Sequence, residues 1–278
     1  MVAKTLVSSV ESKKSEVEKP PILSLSSLRR DILLKAISNA ELQHRKQYLE
    51  LGKQSLLKLE GRLKKDENGL YSENVVESKI YIHINGMLGV LYYLNGDKTA
   101  SKEILKGLRK VKNKDDTYSL STEDKEKNTV AMLSVSLLEY FAGNTDDAAK
   151  LASLKKTLKG NKGLYCSDSD IHTEHTYLNA IKGIAEYENN NLAEAAKQLE
   201  LIEKNVPLGK RGVHGISTSN TLELPEVGYL ITILKYYING INDAESYLLK
   251  VQNIETKSLL SIINSGIVYF IMADMRSE

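Results

Sequence analysis

A turn that recurs four times constrains this chain more than any other feature. Tyr92-Tyr93-Leu94-Asn95-Gly96-Asp97-Lys98-Thr99-Ala100 returns as Glu139-Tyr140-Phe141-Ala142-Gly143-Asn144-Thr145-Asp146-Asp147-Ala148. The third copy is Glu186-Tyr187-Glu188-Asn189-Asn190-Asn191-Leu192-Ala193-Glu194-Ala195, and the fourth runs from Tyr236 to Glu245. Tyr93, Tyr140, Tyr187 and Tyr237 are spaced by 47, 47 and 50 residues, a period within the range of helical-repeat architectures. One such unit cannot bury its apolar face alone, so neighbouring units must stack. Each turn supplies a residue tolerant of positive φ to end one helix and a capping side chain to begin the next.

Between the turns the apolar residues fall at helical spacing. The pattern predicts helices over 22–37 and 41–63, with a break near Ser38-Asn39, where local side-chain hydrogen bonds compete with the helix. Long apolar helices at 76–94, 123–141, 172–188 and 224–238 then alternate with shorter amphipathic ones at 99–111, 146–158, 192–205 and 242–252. A last helix spans 257–275, giving about eleven in all. The long helices read as an inner layer and the short ones as an outer layer. Gly86, Gly89, Ser134, Ser136, Ala180 and Gly183 are small residues at matching depth that let inner helices approach closely. Residues 1–20 hold too little apolar surface to offset the entropy of ordering and are expected to form a disordered tail. Residues 22–278 are expected to form a single helical-repeat domain.

Charge narrows the partners. Lys and Arg total 38 against 36 Asp and Glu, a net charge of +2, so bulk charge attracts neither a polyanion nor an acidic membrane. No basic stripe interleaved with aromatics argues for nucleic acid. No run approaches the roughly 18 apolar residues of a membrane span. Cys166 is the sole cysteine, which leaves no intrachain disulfide and makes the cytoplasm the default location. Trp is absent while Tyr occurs 15 times, so tyrosine is the large packing residue at helix seams.

The densest cluster of chemically capable side chains is Cys166, Asp168, Asp170, His172, Glu174 and His175. A thiolate, a carboxylate and two imidazoles, Cys166, Asp168, His172 and His175, form a chemically sensible zinc set. With His172 and His175 three apart at a helix start, both imidazoles face one point. The plainer reading makes Asp168 and Asp170 an N-cap and first-turn charge, with solvated histidines. Asp168, Asp170, His172, Glu174 and Glu226 are the candidate catalytic residues. Glu226 and Glu223 flank Pro225 and read either as helix N-terminal acids or as part of an acid–base pair. His83, inside the first inner helix, reads as a buried histidine with one hydrogen-bond partner or as a functional base. Arg211 and His214 lie in the glycine-rich basic loop Lys210-Arg211-Gly212-Val213-His214-Gly215, which could hold an anion or simply be solvated.

Gly69-Leu70-Tyr71 and Gly163-Leu164-Tyr165, each ahead of an inner helix, are similar to the repeats of the terpenoid cyclase and protein prenyltransferase β-subunit superfamily. The resemblance spans roughly residues 41–275 and implies an α/α toroid with a substrate cavity lined by the inner helices and the loops that enter them. It adds Tyr71, Glu73 and Tyr165 to the candidate binding residues. The chain departs from the pattern in having no Trp of the Gln…Trp signature. Its Asp168-Ser169-Asp170-Ile171 lacks the last acid of the Asp-x-Asp-Asp run, and Cys166 precedes Asp168 where the zinc-binding order is reversed.

Two functions follow as expectations. The first is an α/α-toroid-like protein whose central cavity binds an apolar or isoprenoid-like small molecule, with enzyme status left open, no cofactor required and zinc as an optional ligand. The second is a non-enzymatic scaffold resembling a tetratricopeptide array, an open solenoid holding a protein segment. A closed ring separates the first from the second.

Overall fold

The computed structural model of the protein describes residues 25–72, 81–112, 125–144, 159–160, 162–166, 174–255 and 258–273. The chain divides into two units, Met1–Leu42 and Gln43–Glu278. Helix α1, Leu25–Leu59, supplies all that is described of the first unit. The break expected at Ser38-Asn39 is absent, both residues being helical. Neither residue costs more than ~1 kcal/mol in a helix interior, and no Gly or Pro stands beside them to stop the helix. The expected tail, residues 1–20, lies outside the described residues.

The second unit is built of helices, with one antiparallel pair of two-residue strands, β1 (Lys64–Lys65) and β2 (Tyr71–Ser72). Among the described residues five helices carry side chains that are buried nearly all round: α2 (Tyr81–Leu94), α4 (Lys125–Phe141, its side chains described from Thr129 on), α5 (Thr176–Glu188), α7 (Pro225–Asn239) and α9 (Leu259–Met272). Three others are amphipathic: α3 (Lys98–Lys110), α6 (Leu192–Asn205) and α8 (Ile241–Gln252). Their buried faces repeat one pattern: Ser101, Ile104, Leu105 and Leu108 in α3, Ala195, Gln198, Leu199 and Ile202 in α6, and Ala244, Tyr247, Leu248 and Val251 in α8. That i, i+3, i+4, i+7 spacing is one stripe of an outer helix. Each amphipathic helix packs on the buried helix that precedes it. The buried helices pack α2 on α4, α4 on α5, α5 on α7, α7 on α9, and α9 back on α2. The outer helix expected at 146–158 lies outside the described residues.

The recurring turn is one geometry used four times. Gly96, Gly143, Asn190 and Gly240, each the third residue after its marker tyrosine, have φ of +87°, +87°, +61° and +87°. In the first three the next N–H reaches back five residues, as in Asp97 N–H to Tyr92 C=O at 2.9 Å, which satisfies a carbonyl at the helix end. Asp97 and Asn191 then cap α3 and α6 by accepting from the Ala100 and Glu194 N–H groups. Small residues set the helix approach. A Cβ on Gly86 would lie 2.9 Å from the Ser134 carbonyl carbon, and one on Gly183 would lie 2.8 Å from Leu234 Cδ2.

Helix α5 starts later than its pattern suggests. Glu174 and His175 pair with Cys166 and Ser217 in antiparallel bridges, and His175 is extended (φ −101°, ψ 117°) at the N-cap position. Those bridges satisfy the backbone that a further helical turn would have used. His175 is therefore not on the helix, and the three-residue spacing that aimed it with His172 does not apply. Among the described residues no helix is long and apolar enough to cross a membrane.

Candidate functional site

A small hairpin precedes α2, α5 and α7, and it accounts for the surroundings of most residues singled out from the sequence. Its paired ends are Lys65 and Tyr71, Lys159 and Tyr165, and Leu208 and His214. Gly69, Gly163 and Gly212 occupy the same positive-φ corner, at +78°, +81° and +77°. Leu70, Leu164 and Val213 follow, each fully buried. Tyr71, Tyr165 and His214 are thus one position seen three times, and the basic Lys210-Gly215 loop is a third copy of the Gly-Leu-Tyr loop.

A carboxylate fills the inside of each hairpin. In the first copy Asp66 Oδ1 accepts from the Asn68 and Leu70 N–H groups at 2.8 and 2.9 Å, and Asp66 also accepts from the Tyr81 hydroxyl. The position of Asp66 is Gly160 in the second copy and Gly209 in the third. There the carboxylate comes from outside: Glu174 accepts from Lys162 N–H at 3.1 Å, and Glu223 from the Arg211 and Val213 N–H groups at 2.8 and 3.1 Å. The glycines make the room, since a Cβ at Gly160 would sit 2.3 Å from Glu174 Oε1 and one at Gly209 2.2 Å from Glu223 Cγ. The N–H groups that the Arg211 loop offers to an anion are therefore already taken by Glu223. His214 is buried, its Nδ1 donating to Val206 C=O at 2.9 Å, and burial pushes its pKa down.

Two buried asparagines lock these hairpins to their helices. Asn85 Oδ1 accepts from Tyr71 N–H at 2.8 Å, while its Nδ2 donates to the Tyr71 and Tyr81 carbonyls, both at 2.9 Å. Asn179 does the same with Tyr165 N–H (2.7 Å), Tyr165 C=O (3.0 Å) and His175 C=O (2.7 Å).

A different polar cluster gathers in the opening turns of the buried helices. His83 of α2, Tyr177 of α5, Glu226 of α7 and Asn264 of α9 meet around the Tyr177 hydroxyl. His83 Nε2 lies 2.5 Å from that oxygen, with the imidazole edge-on to the phenol ring at 5.3 Å between centroids. Asn264 Nδ2 lies 3.4 Å from the same oxygen and donates to the Glu226 backbone carbonyl at 3.1 Å. Unlike the hairpins, this cluster is incomplete. His83 Nδ1, Asn264 Oδ1 and Glu226 Oε2 are buried without a hydrogen-bond partner, as is Thr176 Oγ1 one residue before Tyr177. His83 is 4% exposed and Asn264 0%, whereas Tyr177 and Glu226 keep part of their surface accessible.

Burial controls the charges here. It drives the His83 imidazole down to about 3, so the ring is neutral. Burial raises the Tyr177 phenol, with Asn264 donation opposing and the Glu226 charge reinforcing the shift. Burial also raises the Glu226 carboxyl, against the lowering effect of its own backbone N–H. The arrangement can bind a hydrogen-bonding group and can move a proton through Glu226.

The sequence pointed to His83 and Glu226 separately. It gave no sign that Tyr177 and Asn264 join them. Of the proposed zinc ligands, Cys166 is buried and His175 half-buried. Asp168 and His172 lie outside the described residues, as do Asp170 and Glu73. No group of three or more His, Cys, Asp or Glu side chains suited to a metal ion occurs among the described residues. Compared with known proteins, the chain matches no family model and no curated protein.

Proposed function

We propose that the protein is an α/α-toroid-like small-molecule binder whose site is the His83–Tyr177–Glu226–Asn264 cluster. The cycle of packing contacts from α2 through α4, α5, α7 and α9 back to α2 supports the toroid-like part of this reading. The observation that carries the binding part is the set of three unpartnered buried polar atoms on α2, α7 and α9. Leaving a buried polar atom unmade costs ~1–3 kcal/mol; Ser101 Oγ and Gln198 Oε1 stand so singly on the outer helices, whereas here three such atoms belong to one cluster. A ligand that completes the three bonds recovers that cost. An apolar or isoprenoid-like body behind a polar head is what the resemblance of the Gly-Leu-Tyr repeats implies. Chemistry at this site would run through Glu226, whose carboxyl burial shifts toward its protonated form.

A thermal-shift screen of small organic molecules against the full chain tests the reading. Compounds that stabilise the protein should lose their effect in His83→Ala and in Asn264→Ala. Stabilisation that persists in both variants would put binding elsewhere and remove the proposal.

A further inference from the structure

Resting on that binding reading, we infer that the cluster selects an uncharged head group able both to donate and to accept a hydrogen bond, a hydroxyl or a carboxamide, and discriminates against carboxylates, phosphates and amines. The polarity of each free atom follows from its neighbours. The Glu226 backbone carbonyl can only accept, so the Asn264 amide must turn its nitrogen toward it. That leaves Asn264 Oδ1 as the unpartnered end, an acceptor awaiting a donor. The second Asn264 N–H points to the Tyr177 oxygen, so the phenol's own proton is assigned to His83 Nε2, the other group within hydrogen-bond distance of that oxygen among the described residues. A neutral imidazole that accepts at Nε2 carries its proton at Nδ1. His83 Nδ1 is therefore a free donor awaiting an acceptor.

A hydroxyl or a primary amide brings a donor for Asn264 Oδ1 and an acceptor for His83 Nδ1 in one group, and Glu226 Oε2, the third unpartnered atom, gives or takes a proton according to its state. An anion satisfies only His83 and faces the Glu226 carboxyl with nothing to neutralise it. No Lys or Arg side chain pairs with His83, Tyr177, Glu226 or Asn264 among the described residues. Burying a charge without a partner is far more costly than burying a neutral polar group. An ammonium has donors for Asn264 Oδ1 and Glu226 Oε2 but no atom to accept from His83 Nδ1, and its charge is buried beside a carboxyl that burial shifts toward the neutral form.

Four probes with the same six-carbon body and different heads separate these cases: 1-hexanol, hexanamide, hexanoate and hexylammonium. Affinity for the full chain is read by ligand-observed NMR, and long-range 15N–1H spectra of the histidine rings report the proton on His83 Nδ1. Hexanol and hexanamide should bind at least about tenfold more tightly than hexanoate and hexylammonium, one hydrogen bond's worth of discrimination. Asn264→Leu and His83→Phe, two size-matched changes on different helices, should each abolish that preference. If hexanoate or hexylammonium binds best and still depends on Asn264 and His83, the head-group inference fails while the binding reading stands. If none binds, or binding ignores both substitutions, the binding reading fails and takes the inference with it.

Discussion

Asn85, Asn179 and Asn264 are all fully buried on helices of the second unit, and the chain uses them in two ways. The first two spend both ends of the amide on backbone, each making three hydrogen bonds that fasten a hairpin to a helix start. Asn264 spends only its nitrogen and leaves its oxygen buried and unmade. The same residue type at the same burial is thus architecture in one place and an open valence in another. What separates the two is satisfaction rather than polarity, because a satisfied buried network rigidifies while an unsatisfied one is held at a cost.

The largest effect should come from the architectural pair. Asn85→Leu leaves the Tyr71 N–H and carbonyl without the amide, while the Tyr81 carbonyl keeps the N–H four residues on as its ladder partner. Asn179→Leu leaves Tyr165 N–H without its acceptor, while the Tyr165 and His175 carbonyls keep the His175 and Asn179 N–H groups. Each substitution should cost ~2–4 kcal/mol in a urea melt, since each removes three hydrogen bonds and leaves at least one buried backbone N–H unpaired. A loss below ~1 kcal/mol at both positions would break the comparison.

Acid should attack the cluster next. His83 has a folded pKa of about 3 against an ordinary value near 6.5, so below that ordinary value the unfolded chain takes up a proton that the folded one refuses. The stability His83 contributes is full above about pH 6.5 and is lost progressively as pH falls toward 3. Between pH 7 and pH 5 that amounts to ~2 kcal/mol. His214, also lowered by burial, adds in the same direction. Glu226, raised by burial, acts with the opposite sign as it protonates. His83→Phe should flatten the slope of stability against pH over this range; a slope unchanged from the parent would show that His83 is protonated in the folded protein.

The hairpins allow a sharper test, because the chain has solved one problem twice. Asp66 supplies its carboxylate from within the turn, whereas Glu223 reaches over Gly209 from outside. Gly209→Asp alone should clash with Glu223, and Glu223→Ala alone should leave the Arg211 and Val213 N–H groups unpaired. Combined, they rebuild the first copy's arrangement in the third. A double-mutant cycle should give a favourable coupling of ~1–2 kcal/mol, and additive losses would mean that the two hairpins are not equivalent.

The helical repeat was legible because its signals are local. Turn residues, capping side chains and 3.6-residue periodicity placed α6 (Leu192–Asn205) to the residue and α3, α4, α7 and α8 within one or two at each end. Glu174 and His175 misled because their extended backbone is fixed by Cys166 and Ser217, the latter 42 residues beyond His175, and no helical pattern shows such pairing. The third hairpin was hidden for a simpler reason: Val213 and His214 stand where Leu-Tyr stands in the other copies, so the loop read as basic and solvated. The cluster was only half legible. His83 and Glu226 are ionisable and attract notice, but Tyr177 resembles any seam tyrosine. The convergence of the four residues depends on packing between helices up to 181 positions apart, which one sequence does not carry.

The smallest effect is the most informative. Asn264→Leu removes two hydrogen bonds of 3.1 and 3.4 Å, the second long and weak. The Glu226 carbonyl it abandons lies within α7, where it retains the N–H four residues on as its ladder partner. Tyr177 keeps His83. Against these losses stands a gain, for the buried unpartnered Oδ1 disappears and an aliphatic side chain takes its space among Ile263, Ile267 and their neighbours. The balance should fall within ~1 kcal/mol of the parent, below the ~2–4 kcal/mol expected for the same change at Asn85 or Asn179. Urea melts of the three Asn→Leu variants side by side measure the contrast directly. Equal losses at all three positions would make Asn264 one more structural amide, and the small-molecule site would lose its basis. A near-neutral Asn264→Leu that also loses its response to hexanamide would leave ligand recognition as the reason for the buried amide.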